Sequence, residues 1–354
     1  MDDSLPVRLR EVDLGHRGYP LEGPRDIEEL HAVSGVRQAQ LAHDLSEDAG
    51  QLSGPLERMI RDHRMKTTRF ALLVMSGLMV WSCQKGTASA ALQIPHPDDA
   101  SKQVEYFVEA PAGKGPWPTI VLLHGHQEGN RPGGKDFVDW GVLKQMSLRG
   151  YLAVAVSQPG YGNSAGPADF SGAFTQHAVA GVIAKLRADG QVSPDKLLIE
   201  GISRGALTAG LVAAHDPSVS GLVLISGVYD LPAYLADAAA SAEKSMVVQS
   251  LSAEAGTSAD ALNARSVLRF ASSIKAPSLI LNGAKDDRTD PGQARALAEQ
   301  INRSGGNAKA IIYPDFGHQI PVEVRNKDID PFIDRVLGNW RPESEVKPRP
   351  ETMK

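Results

Sequence analysis

From about Gln103 onward, short runs that are apolar at nearly every position alternate with longer stretches whose apolar residues recur three or four apart. The runs are Val104–Val108, Thr119–Leu123, Leu152–Ser157, Lys196–Glu200, Leu222–Ser226, Ser278–Asn282 and Lys309–Tyr313. Several carry apolar side chains on both odd and even positions, as strands do when helices cover a parallel sheet on both sides. The intervening stretches, 136–148, 173–188, 204–214, 292–304 and 328–337, have helical spacing. Strand and helix in alternation predict an α/β fold with a doubly wound, mostly parallel sheet.

One interval breaks that rhythm. Between Tyr229 and Ile274 the chain is rich in Ala and Ser, with helical spacing and no strand. The expectation is a helical insertion between about 231 and 274, over the carboxyl edge of the sheet where ligands of such folds bind. It reads either as a lid or as ordinary packing helices.

Composition narrows the function classes. The net charge of −5 is small for 354 residues, and acids and bases are interspersed, so no nucleic-acid footprint is present. A single cysteine, Cys83, excludes an intramolecular disulfide and a cysteine-cluster zinc site. Its setting is informative: "MKTTRFALLVMSGLMVWSC" runs from Met65 through Lys66 and Arg69 into the apolar run Phe70–Trp81. A basic start and a short apolar segment have the layout of an export signal, and Cys83 just beyond resembles a lipoprotein box. Ala88-Ser89-Ala90 offers an ordinary cleavage site instead. The expected organisation is therefore a non-native or disordered extension at 1–64 without chemistry, a signal at 65–90 that begins at Met65 as the true start, an α/β domain at 91–340 and a tail at 341–354. Such a protein is exported, to a periplasmic or lipid-anchored site through Cys83 or as a secreted product. An internal anchor behind a small helical extension is the other reading of the same run.

The chemistry-bearing stretch is "LLIEGISRGALTAG", in which Gly201-Ile202-Ser203-Arg204-Gly205 joins a strand to a helix. Gly-x-Ser-x-Gly in that context is a nucleophile elbow: the glycines admit close backbone approach, and the strained turn aims the serine outward. A tight turn in which Ser203 only caps the helix is the bland alternative. A serine hydroxyl needs a base, and the base needs an acid to fix its tautomer. In elbow enzymes these follow in the order Ser, acid, His. Of ten histidines only His215 and His318 lie beyond Ser203, and His215 belongs to the helix after the elbow. His318, in "YPDFGHQIP", is the expected base. The acid comes from "LILNGAKDDRTDP": Asp286 is preferred, Asp287 second, and Asp290 suits a cap for the helix after Pro291.

The alkoxide that forms on attack needs hydrogen-bond donors. The strand ending in "LLHGHQEG" supplies a His-Gly-x turn, so the backbone amides of Arg204 and His126 are the expected oxyanion donors, with Gln127 close behind. His124 and His126 stand two apart, but no carboxylate or cysteine cluster accompanies them, so no metal and no cofactor are expected. "SQPGYGNSAGPADFSG" is a loop at the same sheet edge that either shapes the pocket or merely connects. The Arg204 side chain meets either a substrate carboxylate or a local acid.

Taken together, these motifs resemble an α/β-hydrolase, and the second half is most similar to the catalytic domain of the prolyl oligopeptidase family and to dienelactone hydrolase-like esterases. The carrying stretches are "ARSVLRFASSIKAPSLILNGAKDDRTDP" and "AIIYPDFGHQI", within a resemblance spanning about 103–338. It implies a triad of Ser203, Asp286 and His318. Peptide-cleaving members usually carry a β-propeller ahead of this domain, and the stretch between Cys83 and the first strand has no room for one. Ala206 also stands where the family favours glycine. The expected activity is hydrolysis of a small-molecule carboxylic ester, less so of an amide or short peptide. The alternatives are a prolyl oligopeptidase-type peptidase and a non-catalytic surface lipoprotein that keeps the fold as a binding scaffold.

Overall fold

The computed structural model describes residues 89–237 and 241–338. The extension, the signal-like run with Cys83 and the 341–354 tail lie outside these residues. No helix among the described residues is long and apolar enough to cross a membrane.

Eight strands form one sheet: β1 (Ala91–His96), β2 (Asp99–Glu109), β3 (Trp117–Leu123), β4 (Leu152–Val156), β5 (Val192–Ile202), β6 (Gly221–Ile225), β7 (Ser278–Gly283) and β8 (Ala308–Tyr313). Their spatial order is β1-β2-β4-β3-β5-β6-β7-β8. β1 and β2 run antiparallel to their neighbours, and every pairing from β4 to β8 is parallel. The fold is the α/β-hydrolase arrangement that the strand–helix alternation implies.

Helices pack on both faces, and the strands' double-sided apolarity follows from that. Val121, Leu123, Ile199, Leu224 and Ile280 face one core with α3 (Ala173–Ala188), α4 (Arg204–His215) and α8 (Pro291–Arg303). Ile120, Leu122, Leu198, Val223 and Leu281 face the other, with α1 (Lys135–Asp139), α2 (Val142–Leu148) and α9 (Val322–Leu337). Successive strand residues alternate between the two cores, so a polar residue on either face would need a buried partner.

Two helices and one strand differ most from the sequence reading. The helix expected over 136–148 is two helices, because Gly141 adopts a left-handed φ of 72° between α1 and α2. The last helix starts at Val322 rather than 328 and continues through Pro331. The edge strand β1 was not anticipated: its first three residues are exposed, so it lacks the apolar run that marks the central strands.

The insertion between β6 and β7 consists of α5 (Leu231–Ala236), α6 (Ala242–Ala255), α7 (Ala259–Asn263) and a 3-10 helix, Val267–Ser273. Ser241 and Ser258 cap α6 and α7 by accepting from Lys244 N–H and Ala261 N–H.

Candidate active site

Ser203 stands at the junction of β5 and α4 with φ 55° and ψ −119°, a left-handed backbone that a non-glycine residue adopts only when its surroundings impose it. The flanking glycines show what imposes it. A Cβ on Gly201 would lie 2.1 Å from the Gly205 carbonyl oxygen, and one on Gly205 would lie 2.1 Å from that of Leu123. Both positions admit only hydrogen. The Ser203 side chain makes no capping bond to α4. Its Oγ instead lies 3.1 Å from His318 Nε2.

His318 comes from the loop after β8, and its Nδ1 lies 3.0 and 3.1 Å from the two carboxylate oxygens of Asp286. The loop is fastened from behind: Ser226, itself at a left-handed φ of 49°, donates its hydroxyl to the His318 carbonyl at 2.8 Å. Asp286 follows β7 and accepts from four donors besides His318: the N–H groups of Arg288 and Thr289, each at 2.9 Å, the Thr289 hydroxyl at 2.7 Å and the Asn282 amide at 3.1 Å fix it beside His318. Burial pushes the Asp286 pKa up, but the hydrogen bond and charge of His318 and the Thr289 donors outweigh it and hold the group below its ordinary value. The carboxylate is thus ionised and turned toward Nδ1. Asp287 is exposed, and Asp290 accepts from Gly292 N–H as the cap of α8. His215 lies on α4 against Gln176.

The segment leaving β3 runs beside the nucleophile: a Cβ on Gly125 would stand 3.2 Å from Ser203 Cβ. This brings the residue before His126 against the elbow, while the Arg204 amide is the first of α4 and has no carbonyl one turn earlier to serve. The Gln127 side chain is bonded to Asp136 at 2.7 Å and to both backbone groups of Gly133. His124 is buried, with Nδ1 2.8 Å from the Gly125 carbonyl and Nε2 accepting from Gln158 N–H at 3.1 Å. Burial pushes its pKa down to about 4, so the ring is neutral and both nitrogens are occupied. Among the described residues no group of three or more His, Cys, Asp or Glu could hold a metal.

The Arg204 side chain turns inward. Its Nη2 forms an ion pair with Glu254 of α6 at 2.6 Å, and Nη1 donates to the Tyr161 hydroxyl at 3.1 Å. The local-acid reading of Arg204 therefore holds. Gln158 and Tyr161, from the glycine-rich loop after β4, and Glu254 were not singled out by the sequence; their contacts join residues tens of positions apart and leave no local signal. Of that loop only Phe170 lines the cavity.

A cavity of ≈ 920 Å³ opens over Ser203 and His318. Phe137 and Ile320, from the α1–α9 core, and Val228 and Tyr234, from the opposite core, both contribute to its wall. Met246 and Val247 of α6 line it as well, so the insertion forms part of the site. Trp140 lines the same cavity while 62% exposed.

Residues 172–339 match the model of the prolyl oligopeptidase family. The chain is 22% identical over 316 residues to the uncharacterized peptidase YuxL of Bacillus subtilis, covering 83% of this chain and 42% of that relative. It thus spans about two-fifths of the relative's length. Among solved structures, the acylaminoacyl peptidase of Pyrococcus horikoshii superposes with a TM-score of 0.58 at 16% identity, over 72% of this chain and 42% of its own. A puromycin-hydrolyzing peptidase of Mycobacterium tuberculosis gives 0.59 at 20%, over 72% and 40%. A Pyrococcus furiosus esterase gives 0.56 at 16%, over 71% of this chain and 92% of its own. These likenesses establish the shared α/β-hydrolase fold.

Proposed function

We propose that this chain is a serine hydrolase that cleaves carboxylic esters, and less readily amides or short peptides, through an acyl-enzyme. Ser203 Oγ attacks the carbonyl while His318 Nε2 takes its proton, and Asp286 holds the imidazole in the required tautomer and stabilises the imidazolium. The amides of Arg204 and His126 receive the negative oxygen. His318 returns the proton to the leaving group, then activates water, which releases the acid and regenerates Ser203. Carrying this reading is the continuous run from Asp286 through His318 to Ser203 at contacts of 3.0 and 3.1 Å. A wall drawn from both apolar cores favours substrates with apolar groups flanking the scissile bond.

The family match and the peptidase relative favour a second reading, in which the scissile bond is an amide. A panel of short and long p-nitrophenyl esters beside aminoacyl and prolyl p-nitroanilides separates the two, faster amide cleavage deciding for the peptidase. Fluorophosphonate labelling of the wild type, absent in Ser203→Ala, tests the hydrolase reading itself. Folded wild-type protein that never labels would leave only a binding scaffold. Export, with or without a lipid on Cys83, is proposed from the Lys66–Cys83 pattern alone.

A further inference from the structure

The two residues whose amides are the proposed oxyanion donors belong to segments far apart in sequence, yet their side chains meet at one buried hydroxyl. Tyr161 Oη accepts from Arg204 Nη1 at 3.1 Å and lies 3.3 Å from His126 Nδ1. A guanidinium can only donate, so the Tyr161 proton is free for an acceptor, and Nδ1 is the acceptor within reach when His126 carries its hydrogen on Nε2. Tyr161 is fully buried and does not line the cavity, so its hydroxyl cannot reach substrate.

The guanidinium that anchors Tyr161 is itself held on three sides. Glu254 Oε2 pairs with Nη2, the Phe170 ring stands 4.6 Å from the guanidinium carbon, and the Tyr161 ring stands 5.4 Å from it. Glu254 Oε2 also accepts the Phe170 N–H at 3.0 Å. Four separate pieces of chain converge here: the start of α4, the exit of β3, the loop after β4, and α6.

We propose that Tyr161 is a positioning residue for the oxyanion-binding amides: its hydroxyl, held by Arg204 and donating to His126, fastens to each other the two segments that carry those amides. The inference rests on the serine hydrolase reading above. Donors aimed in advance at the developing oxyanion stabilise the transition state more than the bound substrate, so loosening them lowers kcat rather than raising KM.

Tyr161→Phe removes the hydroxyl and keeps the ring over Arg204. Hydrolysis of p-nitrophenyl butyrate is compared for wild type, Tyr161→Phe and Ser203→Ala, together with inhibition by a trifluoromethyl ketone whose serine adduct bears an oxyanion. Tyr161→Phe is expected to lower kcat about 10-fold or more, with KM within about twofold and inhibitor affinity falling in step with kcat/KM. His126→Leu keeps the backbone amide but deletes the acceptor, so the same loss is expected there even if Tyr161→Phe fails to fold. His126→Gln, which restores an acceptor, should recover part of it. Wild-type kcat and inhibitor affinity in Tyr161→Phe, or in His126→Leu where only that variant folds, overturn the proposal while the hydrolase reading stands. A wild type that neither turns over nor labels at Ser203 removes the hydrolase reading, and this inference with it.

Discussion

Gly205 leaves the Leu123 carbonyl oxygen only 2.1 Å from where a Cβ would stand, so the first turn of α4 and the end of β3 touch through backbone alone. Neither side can yield, because Leu123 is paired to Val156 on one side and Gly201 on the other. Gly205→Ala is expected to destabilise by about 3 kcal/mol or more, as overpacking against a rigid neighbour does. Gly317→Ala is the control: its Cβ would meet the Lys285 carbonyl oxygen at 3.4 Å, an ordinary contact, and stability should stay within about 1 kcal/mol. Denaturant midpoints for the two variants check the contrast.

Asp286→Asn keeps the shape of the acid but presents a neutral amide to Nδ1, which favours the wrong imidazole tautomer. A fall in kcat of about 10³–10⁴ is expected, with substrate affinity little changed. Stopped-flow acylation with a p-nitrophenyl ester reads the step directly.

The depressed pKa of Asp286 also links stability to acid. Its contribution is fully present above the ordinary carboxylate range and is lost as pH falls through the folded-state value. Asp286→Asn should therefore be less stable than wild type at neutral pH, with the gap closing in strong acid. Thermal melts across the acid range test this.

His124 acts at a different pH. Its folded-state pKa of about 4 lies below the unfolded value near 6.5, so between them the unfolded chain binds the extra proton. Stability falls as pH drops through that window, by on the order of 3 kcal/mol at its acid end. His124→Asn should flatten the slope of unfolding free energy between about pH 6.5 and 4, whatever its own stability. An unchanged slope would assign the acid sensitivity to other groups.

Trp140 bears on substrate choice. It packs edge-on against Phe137 with ring centroids 5.8 Å apart and leaves much of its surface at the cavity rim. Trp140→Ala is expected to lower kcat/KM roughly 10-fold for long-chain p-nitrophenyl esters, the loss of about 1.4 kcal/mol of apolar contact, and to leave the acetate nearly unchanged. The ratio of the two rates is the measurement.

The central strands were legible because each side chain on them is buried, and a run such as Ile120–Leu123 has no other explanation than two covered faces. β1 escaped because an edge strand with an exposed face needs no such run. In the site, the order of Ser203, Asp286 and His318 was readable because strands that end at one sheet edge bring their following loops together. Tyr161 and Glu254 were not, since their roles depend on how the loop after β4 and the insertion fold back over α4. Arg204 could be suspected of an acidic partner, but which acid was a matter of packing.

The helices from Leu231 to Ser273 lie between β6 and β7, yet these two strands are immediate neighbours in register, Leu222 opposite Ser278 and Ile225 opposite Leu281. Because the two strands run parallel, the excursion must cross back from the carboxyl end of β6 to the amino end of β7, and what the sheet leaves free is the content of α6, whose Met246 and Val247 line the cavity. Exchange of this one module is the economical route by which such a scaffold acquires new selectivity, with the chemistry at its base inherited intact.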